Sequence, residues 1–267
     1  PVGENQNATR IRSGDAVVFF NFRTDRPRQL TEMFLRSAVP NLRFVTMTKY
    51  RKDFQNPVMY PTTTLTNTLG EVISIHNLNQ LRAAETEKIA MITYYFNGQN
   101  ENIFPGESHL FVDSPKVATY DLTPRMSTDK LIEEFTQKMK EDIYTLAMVN
   151  IACPDMIAHT GKIDKTVEAI KASDDALGNL VNLAKETNSY LVITADHGNA
   201  EELSNQNTGK VNTQHSTNPV PIIIFHSTDS KFKLQPGKLA DIAPTILNLL
   251  GLPIPLEMNG KDLIIRN

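Results

Sequence analysis

Three short apolar runs that end in, or lead out of, acidic and imidazole side chains constrain this chain more than any other feature. "YTLAMVNIA" (144–152), "SYLVITA" (189–195) and "VPIIIFH" (220–226) have the length and continuous apolar character of buried strands. Between the first two lies "DKTVEAIKASDDALGNLVNLAKET" (164–187), whose apolar residues recur at helical spacing. The alternation is present upstream as well. "DAVVFFNF" (15–22) and "LRFVTMTKY" (42–50) read as strands, and "RPRQLTEMFLRSAV" (26–39) between them reads as a helix with Pro27 in its first turn. The residues 65–77, 87–98, 128–142 and 239–251 are helical by the same criterion, "QLRAAET" (80–86) is a short strand, and 116–127 is a loop rich in turn residues. Strands alternating with amphipathic helices predict a layered α/β fold with a mainly parallel sheet.

A chain of 267 residues is long enough for one or two domains with a sizeable core. Two prolines and a threonine cluster in "QNPVMYPTTT" (55–64) mark a boundary or hinge near Tyr60–Thr64. The net charge of −3 argues against a nucleic-acid partner, and no apolar run reaches membrane-spanning length, so no membrane partner is expected. The single cysteine, Cys153, rules out an internal disulfide and fits a reducing, cytoplasmic setting. Pro1 opens a polar, turn-rich stretch without a signal-peptide pattern, which reads as a chain beginning partway through a longer protein.

The polar clusters at the strand ends carry the chemistry. In open α/β sheets ligands bind beyond the carboxyl ends of the strands, so "CPDMIAHTG" (153–161) and "ADHGN" (195–199) are expected on one edge, within reach of each other. Asp155 and His159 are four residues apart, which on a helical turn puts both on one face and suits a divalent metal. A helix-capping Asp155 with a surface His159 is an equal alternative for that pair alone. Asp196 and His197 could likewise be a strand-exit carboxylate and an incidental imidazole, and His215, in the loop "TQHSTNPVP" (213–221), could simply face solvent. Taken jointly, three of the six histidines stand at strand edges and two of them have an aspartate close by. Asp155, His159, Asp196, His197 and His215 are enough for one metal ion and part of a second. His76, His109 and His226 have no such setting and read as structural. Arg23, Arg26 and Arg28 cluster where a helix begins, against the helix dipole, which favours anion binding over a solvated helix start. Lys88, from its context alone, is a surface lysine.

"FFNFRTDRPRQLT", "AETEK", "FPGESHLFVDSPKVATYDLTPRMS", "PDMIAHTGK", "TADHGNAEE" and "HSTNPVP" occur in an order and spacing that resemble the 2,3-bisphosphoglycerate-independent phosphoglycerate mutase family of the alkaline phosphatase-like superfamily. The resemblance covers essentially the whole chain. It implies interconversion of 3- and 2-phosphoglycerate through a phosphoserine, with two divalent ions, manganese first and magnesium or cobalt as substitutes, and without 2,3-bisphosphoglycerate. By motif, Asp155, His159 and His215 match ligands of one metal, and Asp196 and His197 match ligands of the other. Arg23 and Arg26 match substrate-binding arginines, and Lys88 matches a lysine beside the transferring phosphoryl group. Residues 1–62 then correspond to the end of a transferase domain and 63–267 to most of the metal-bearing, phosphatase-like domain. A monomer is expected for the intact enzyme.

The pattern departs from that family in two ways. Nothing in the chain resembles the Gly-Asn-Ser segment of the nucleophile, so the serine is expected in a missing N-terminal half and the chain alone is expected to be inactive. Cys153 also stands where asparagine is usual, and Ala158 where glycine is common. A thiol two residues from Asp155 is either an oxidation-sensitive group or a buried inert one. Two other functions stay open: a metal-dependent phosphatase or phosphodiesterase, and a metal-binding fragment without turnover.

Overall fold

The computed structural model describes residues 10–23, 27–61, 63, 65–204, 209, 211–228 and 233–265. The chain forms two compact units, Pro1–Thr64 and Leu65–Asn267. In the first, strand β1 (Ala16–Phe19) leads to helix α1 (Pro27–Leu35) and strand β2 (Arg43–Thr46), and the two strands pair in parallel. Phe44 at the centre of β2 is buried, stacks on Phe34 of α1 and tilts against Phe19 of β1, so aromatic packing joins helix to strands.

The second unit begins with helix α2 (Leu69–Ile75) and strand β3 (Gln80–Glu85). A 3₁₀ turn at Thr86–Lys88 and a π-helical turn at Met91–Tyr95 follow, so the stretch expected to be helical at 87–98 is helical only as far as Tyr95 and mostly not α-helical. Then come β4 (Glu107–Val112), α3 (Thr128–Met139), β5 (Leu146–Val149), α4 (Cys153–Ala158), α5 (Ile163–Glu186), β6 (Leu191–Thr194), β7 (Ile222–Phe225), β8 (Lys233–Leu234), α6 (Ile242–Leu249) and β9 (Ile264–Ile265). β3 is the central strand of a parallel sheet in the order β4-β3-β5, and all six of its residues are buried.

Alternation along β3 sends its side chains to opposite faces. Leu81 and Ala83 join Leu131, Ile132 and Phe135 of α3 and Ala176, Leu180 and Leu183 of α5 in the main core. Gln80 and Arg82 face the other way: Gln80 Nε2 donates to the Gly70 carbonyl of α2 at 2.7 Å. Leu69, Val72 and Ile73 of α2 pack there with Leu247 of α6. Helices thus cover both faces of the sheet, the expected layered α/β arrangement. The third core cluster joins Cys153 and Ile157 of α4 to Ala169 and Ala172 of α5, and so ties the short helix after β5 to the long one that lies on the sheet.

One element departs from the parallel expectation in a way that matters for the site. β6 and β7 pair antiparallel, with Thr194 opposite Ile222. In an all-parallel sheet the loop after β6 and the loop before β7 would lie at opposite ends of the strands. Antiparallel pairing puts them side by side. β8 and β9 are also antiparallel. Among the described residues no helix is long and apolar enough to cross a membrane.

Candidate metal centre

The site grows from the helix that follows β5. Pro154 sits in the first turn of α4, where its missing N–H costs nothing. Cys153, Ile157 and Ala158 turn inward and are fully buried, which leaves Asp155 and His159, one helical turn apart, on the opposite face. The antiparallel β6–β7 pair supplies the other side. Its two adjoining loops are joined by an isolated bridge, with Ser216 N–H donating to the Gly198 carbonyl at 2.8 Å. That bridge brings His197 over His215, ring centroids 3.6 Å apart and stacked with their planes nearly parallel, 19° apart.

Three donor atoms converge. His159 Nε2 and His215 Nε2 are 3.1 Å apart, and Asp155 Oδ1 lies 3.3 Å from the first and 3.4 Å from the second. His159 Nδ1 is 2.7 Å from the Thr213 carbonyl, which can only accept, so Nδ1 carries the proton and neutral His159 presents a lone pair at Nε2. An ion bound at about 2.0–2.2 Å to each of three such ligands requires donor separations of roughly 2.8–3.1 Å in octahedral and roughly 3.3–3.6 Å in tetrahedral geometry. The triangle meets that requirement, and carboxylate with imidazole is a donor set for zinc, manganese or cobalt rather than calcium. Among the described residues Asp155, His159 and His215 form the only group of three with metal-binding spacing. The imidazole of His215 is held below the ordinary histidine range, first by burial and then by His197, which outweigh the pull of Asp155. The neutral, ligating form is thereby favoured.

Asp155 is held at both oxygens. Lys88 Nζ donates to Oδ2 at 2.5 Å, and Asn199 Nδ2 donates to Oδ1 at 2.6 Å. Burial would raise its carboxyl, but Lys88 and Asn199 overcome this and hold it below the usual carboxylate range. The local fold explains Lys88: the 3₁₀ turn that closes β3 aims it across the sheet edge toward α4. Asn199 is buried and was not singled out by the sequence. Its signal was a polar residue directly after the "ADHG" strand exit, too common a pattern in turns to stand alone.

The remaining expected residues are placed as follows. Asp196 Oδ2 and His197 Nε2 lie 3.5 Å apart at the rim of the same cluster. Arg23 lies in the first unit just after β1, where its N–H donates to Asn21 Oδ1 at 2.9 Å, and Arg28 is in the first turn of α1. Arg26 lies outside the described residues. His76, His109 and His226 all stand elsewhere with local partners, Val72, Glu107 and Asn188 respectively. Cys153 is fully buried and points at Ala169 and Ser173 of α5, away from the donor triangle.

The layered α/β domain thus carries an Asp-His-His triangle with the spacing of a divalent-metal site. The chain belongs to the Metalloenzyme superfamily, whose family model matches residues 24–254. Within that class its sequence is similar to proteins named 2,3-bisphosphoglycerate-independent phosphoglycerate mutase. One from Methanosarcina acetivorans is 43% identical, matching 98% of this chain and 52% of its own length. Another from Clostridium beijerinckii is 46% identical, matching 99% of this chain and 53% of its own length. A solved phosphoglycerate mutase of Leishmania mexicana, studied at low cobalt concentration, superposes with a TM-score of 0.80 at 28% identity, over 96% of this chain and 52% of its own. The chain therefore spans about half the length of the relatives it matches.

Proposed function

We propose that residues 1–267 form the metal-bearing part of a phosphoglycerate mutase that interconverts 3- and 2-phosphoglycerate without 2,3-bisphosphoglycerate. The observation that carries the reading is the donor triangle of Asp155, His159 and His215, found in a chain similar over nearly its whole length to enzymes of that name. Those three residues would hold one divalent ion. Asp196 and His197 would help to hold a second, with manganese as the first choice and magnesium or cobalt as substitutes. Bound there, such ions supply charge neutralisation for phosphoryl oxygens and lower the pKa of a coordinated hydroxyl.

The chain's own residues do the rest of the work assigned to them. Lys88 places a fixed positive charge beside Asp155, where it can also face a phosphoryl oxygen, and phosphoryl transfer depends mainly on such positioning and neutralisation. Arg23 and Arg26 offer planar forks that match carboxylate or phosphate and would orient the glycerate. The nucleophile is a serine outside residues 1–267: the phosphoryl group passes to its oxygen from one glycerate hydroxyl and returns to the other. In this reading residues 1–62 belong to a transferase domain and 63–267 to the phosphatase-like one, and the complete enzyme is a cytoplasmic monomer.

The test is an enolase-coupled assay of the full-length polypeptide that carries this chain, run beside residues 1–267 alone. Mutase turnover by the former and none by the latter is the expected result. Release of free phosphate as the main product would favour a phosphatase instead. Turnover by 1–267 alone would overturn the assignment of the serine.

A further inference from the structure

Five polar residues outside the donor triangle are tied into a single knot, and its centre is Glu201. Its Oε1 accepts from the Ser216 hydroxyl and from Asn218 Nδ2 at 3.0 Å, and its Oε2 accepts from the Asn199 backbone N–H at 2.7 Å. Asn218 Nδ2 also lies 3.3 Å from Glu202 Oε2. The donors come from two different loops. Asn199 follows β6 and lies two residues after His197, whereas Ser216 and Asn218 precede β7 and Ser216 adjoins His215.

We propose that Glu201 is a positioning residue for the metal centre. It locks the His197 loop to the His215 loop and, through Asn199, fixes the ligating oxygen of Asp155. This rests on the reading that Asp155, His159 and His215 hold a divalent ion. The linkage is short at each step. Glu201 orders the Asn199 backbone, and the buried Asn199 side chain donates to Asp155 Oδ1, the oxygen that faces both Nε2 atoms. With Lys88 on Oδ2, Asp155 has no free rotation left. On the other side, the hydroxyl of Ser216 fixes the residue next to His215.

The chemistry at position 201 is specific. Three N–H or O–H donors converge on one group, and a carboxylate accepts from all of them because it carries no hydrogen of its own. A glutamine has one acceptor oxygen and would turn its NH₂ toward donors on one side. The packing at Gly198 is fitted to the same knot. A Cβ there would stand 2.2 Å from Ser216 Oγ and 2.3 Å from Glu201 Oε1, so the knot closes only over glycine.

The experiment uses residues 1–267 with Co²⁺ as the probe, followed by calorimetry and by the visible absorption of the bound ion. Glu201→Gln and Ser216→Ala are each expected to weaken Co²⁺ binding by roughly 10–100-fold and to change the visible spectrum, as loss of an outer-shell partner does. Ser216→Thr, which keeps the hydroxyl, is expected to restore both. Wild-type affinity and spectrum in Glu201→Gln and Ser216→Ala would overturn the proposal while leaving the metal centre standing. Absence of Co²⁺ binding by the wild-type chain would overturn both. Should Glu201→Gln fail to fold, the Ser216→Ala and Ser216→Thr pair decides: equal weakening by both contradicts the role of the hydroxyl.

Discussion

His159 and His215 point their Nε2 atoms at each other across 3.1 Å, although 56 residues separate them in the chain. Two imidazole lone pairs at that distance repel unless a proton or a cation lies between them. The Thr213 carbonyl already commits the proton of neutral His159 to Nδ1, and Asp155 adds a carboxylate oxygen to the same point. The arrangement therefore suits a positive ion better than it suits an empty pocket. It comes about because β6 and β7 run antiparallel, which places a loop that follows one strand beside a loop that precedes the other.

Lys88 acts as an internal counter-ion to Asp155. Both side chains are largely buried, 11% and 16% exposed, so removing the cation leaves a poorly solvated carboxylate. Breaking a fully buried pair costs roughly 3–5 kcal/mol, and with Asn199 still in place about 2 kcal/mol is expected for Lys88→Met in the metal-free chain. The same change removes a positive charge from the metal's surroundings, so Mn²⁺ affinity should rise, by about tenfold. Urea unfolding and calorimetry read the two effects. Weaker Mn²⁺ binding in Lys88→Met would show that the lysine supports the ion rather than competing with it.

Gly161 ends the segment that carries His159. Its φ of +72° is the left-handed conformation, and a Cβ would meet Val211 Cγ1 at 2.5 Å and Thr213 Cγ2 at 3.2 Å. Strain of about 1–2 kcal/mol is expected for Gly161→Ala, or a drop in Tm of about 2–8 °C. Because Thr213 is pushed, and its carbonyl orients His159, metal affinity should fall as well. A fall in Tm with unchanged affinity would separate the backbone effect from the site.

Glu201 gives the pH dependence a sign. Burial alone would raise its carboxyl, but the Ser216 hydroxyl, its own backbone N–H, Asn218 and the Asn199 N–H together bring it down to about 2. A depressed folded value means that the folded state binds fewer protons. The stabilisation is then complete above the ordinary glutamate value of 4.5 and is lost as pH falls toward 2. Glu201→Gln has no proton to gain, so the difference in urea midpoint from wild type should be largest at neutral pH and shrink across that window. A difference that stays constant with pH would show that Glu201 is not held in this way.

Cys153 is expected to be inert. The side chain is fully buried, and burial, the largest influence on it, pushes the thiol up. A thiol reagent such as Ellman's should label it only on unfolding, at the rate of global opening. Rapid labelling of the folded chain would revive the alternative of an oxidation-sensitive group beside Asp155.

The strongly periodic parts of this structure were readable in advance, and the reasons differ by element. α3 and α5 declare themselves through apolar spacing, and β5, β6 and β7 through continuous apolar runs. β4 did not, because Glu107, Ser108 and His109 interrupt its apolar character; Glu107 and His109 pair inside the fold, with His109 Nε2 2.7 Å from Glu107 Oε1. The direction of β7 was hidden for another reason: no local residue encodes whether a strand pairs parallel or antiparallel. The ligands Asp155, His159 and His215 could be picked out because imidazole is scarce and strand ends are informative. Asn199 and Glu201 could not, since polar residues in a turn look solvated until the partner loop is in place. The Lys88–Asp155 contact joins residues 67 apart, and only the tertiary structure brings them together.

Asp155, His159 and His215 are expected to hold a divalent ion. Mn²⁺ titration of residues 1–267 by calorimetry, repeated on Asp155→Asn, His159→Ala and His215→Ala, tests it most directly. Saturable binding by the wild-type chain is expected, with a loss of at least about 100-fold in affinity in each variant and each still folded by circular dichroism. Wild-type binding that survives all three substitutions, or no binding by the wild-type chain, would contradict it.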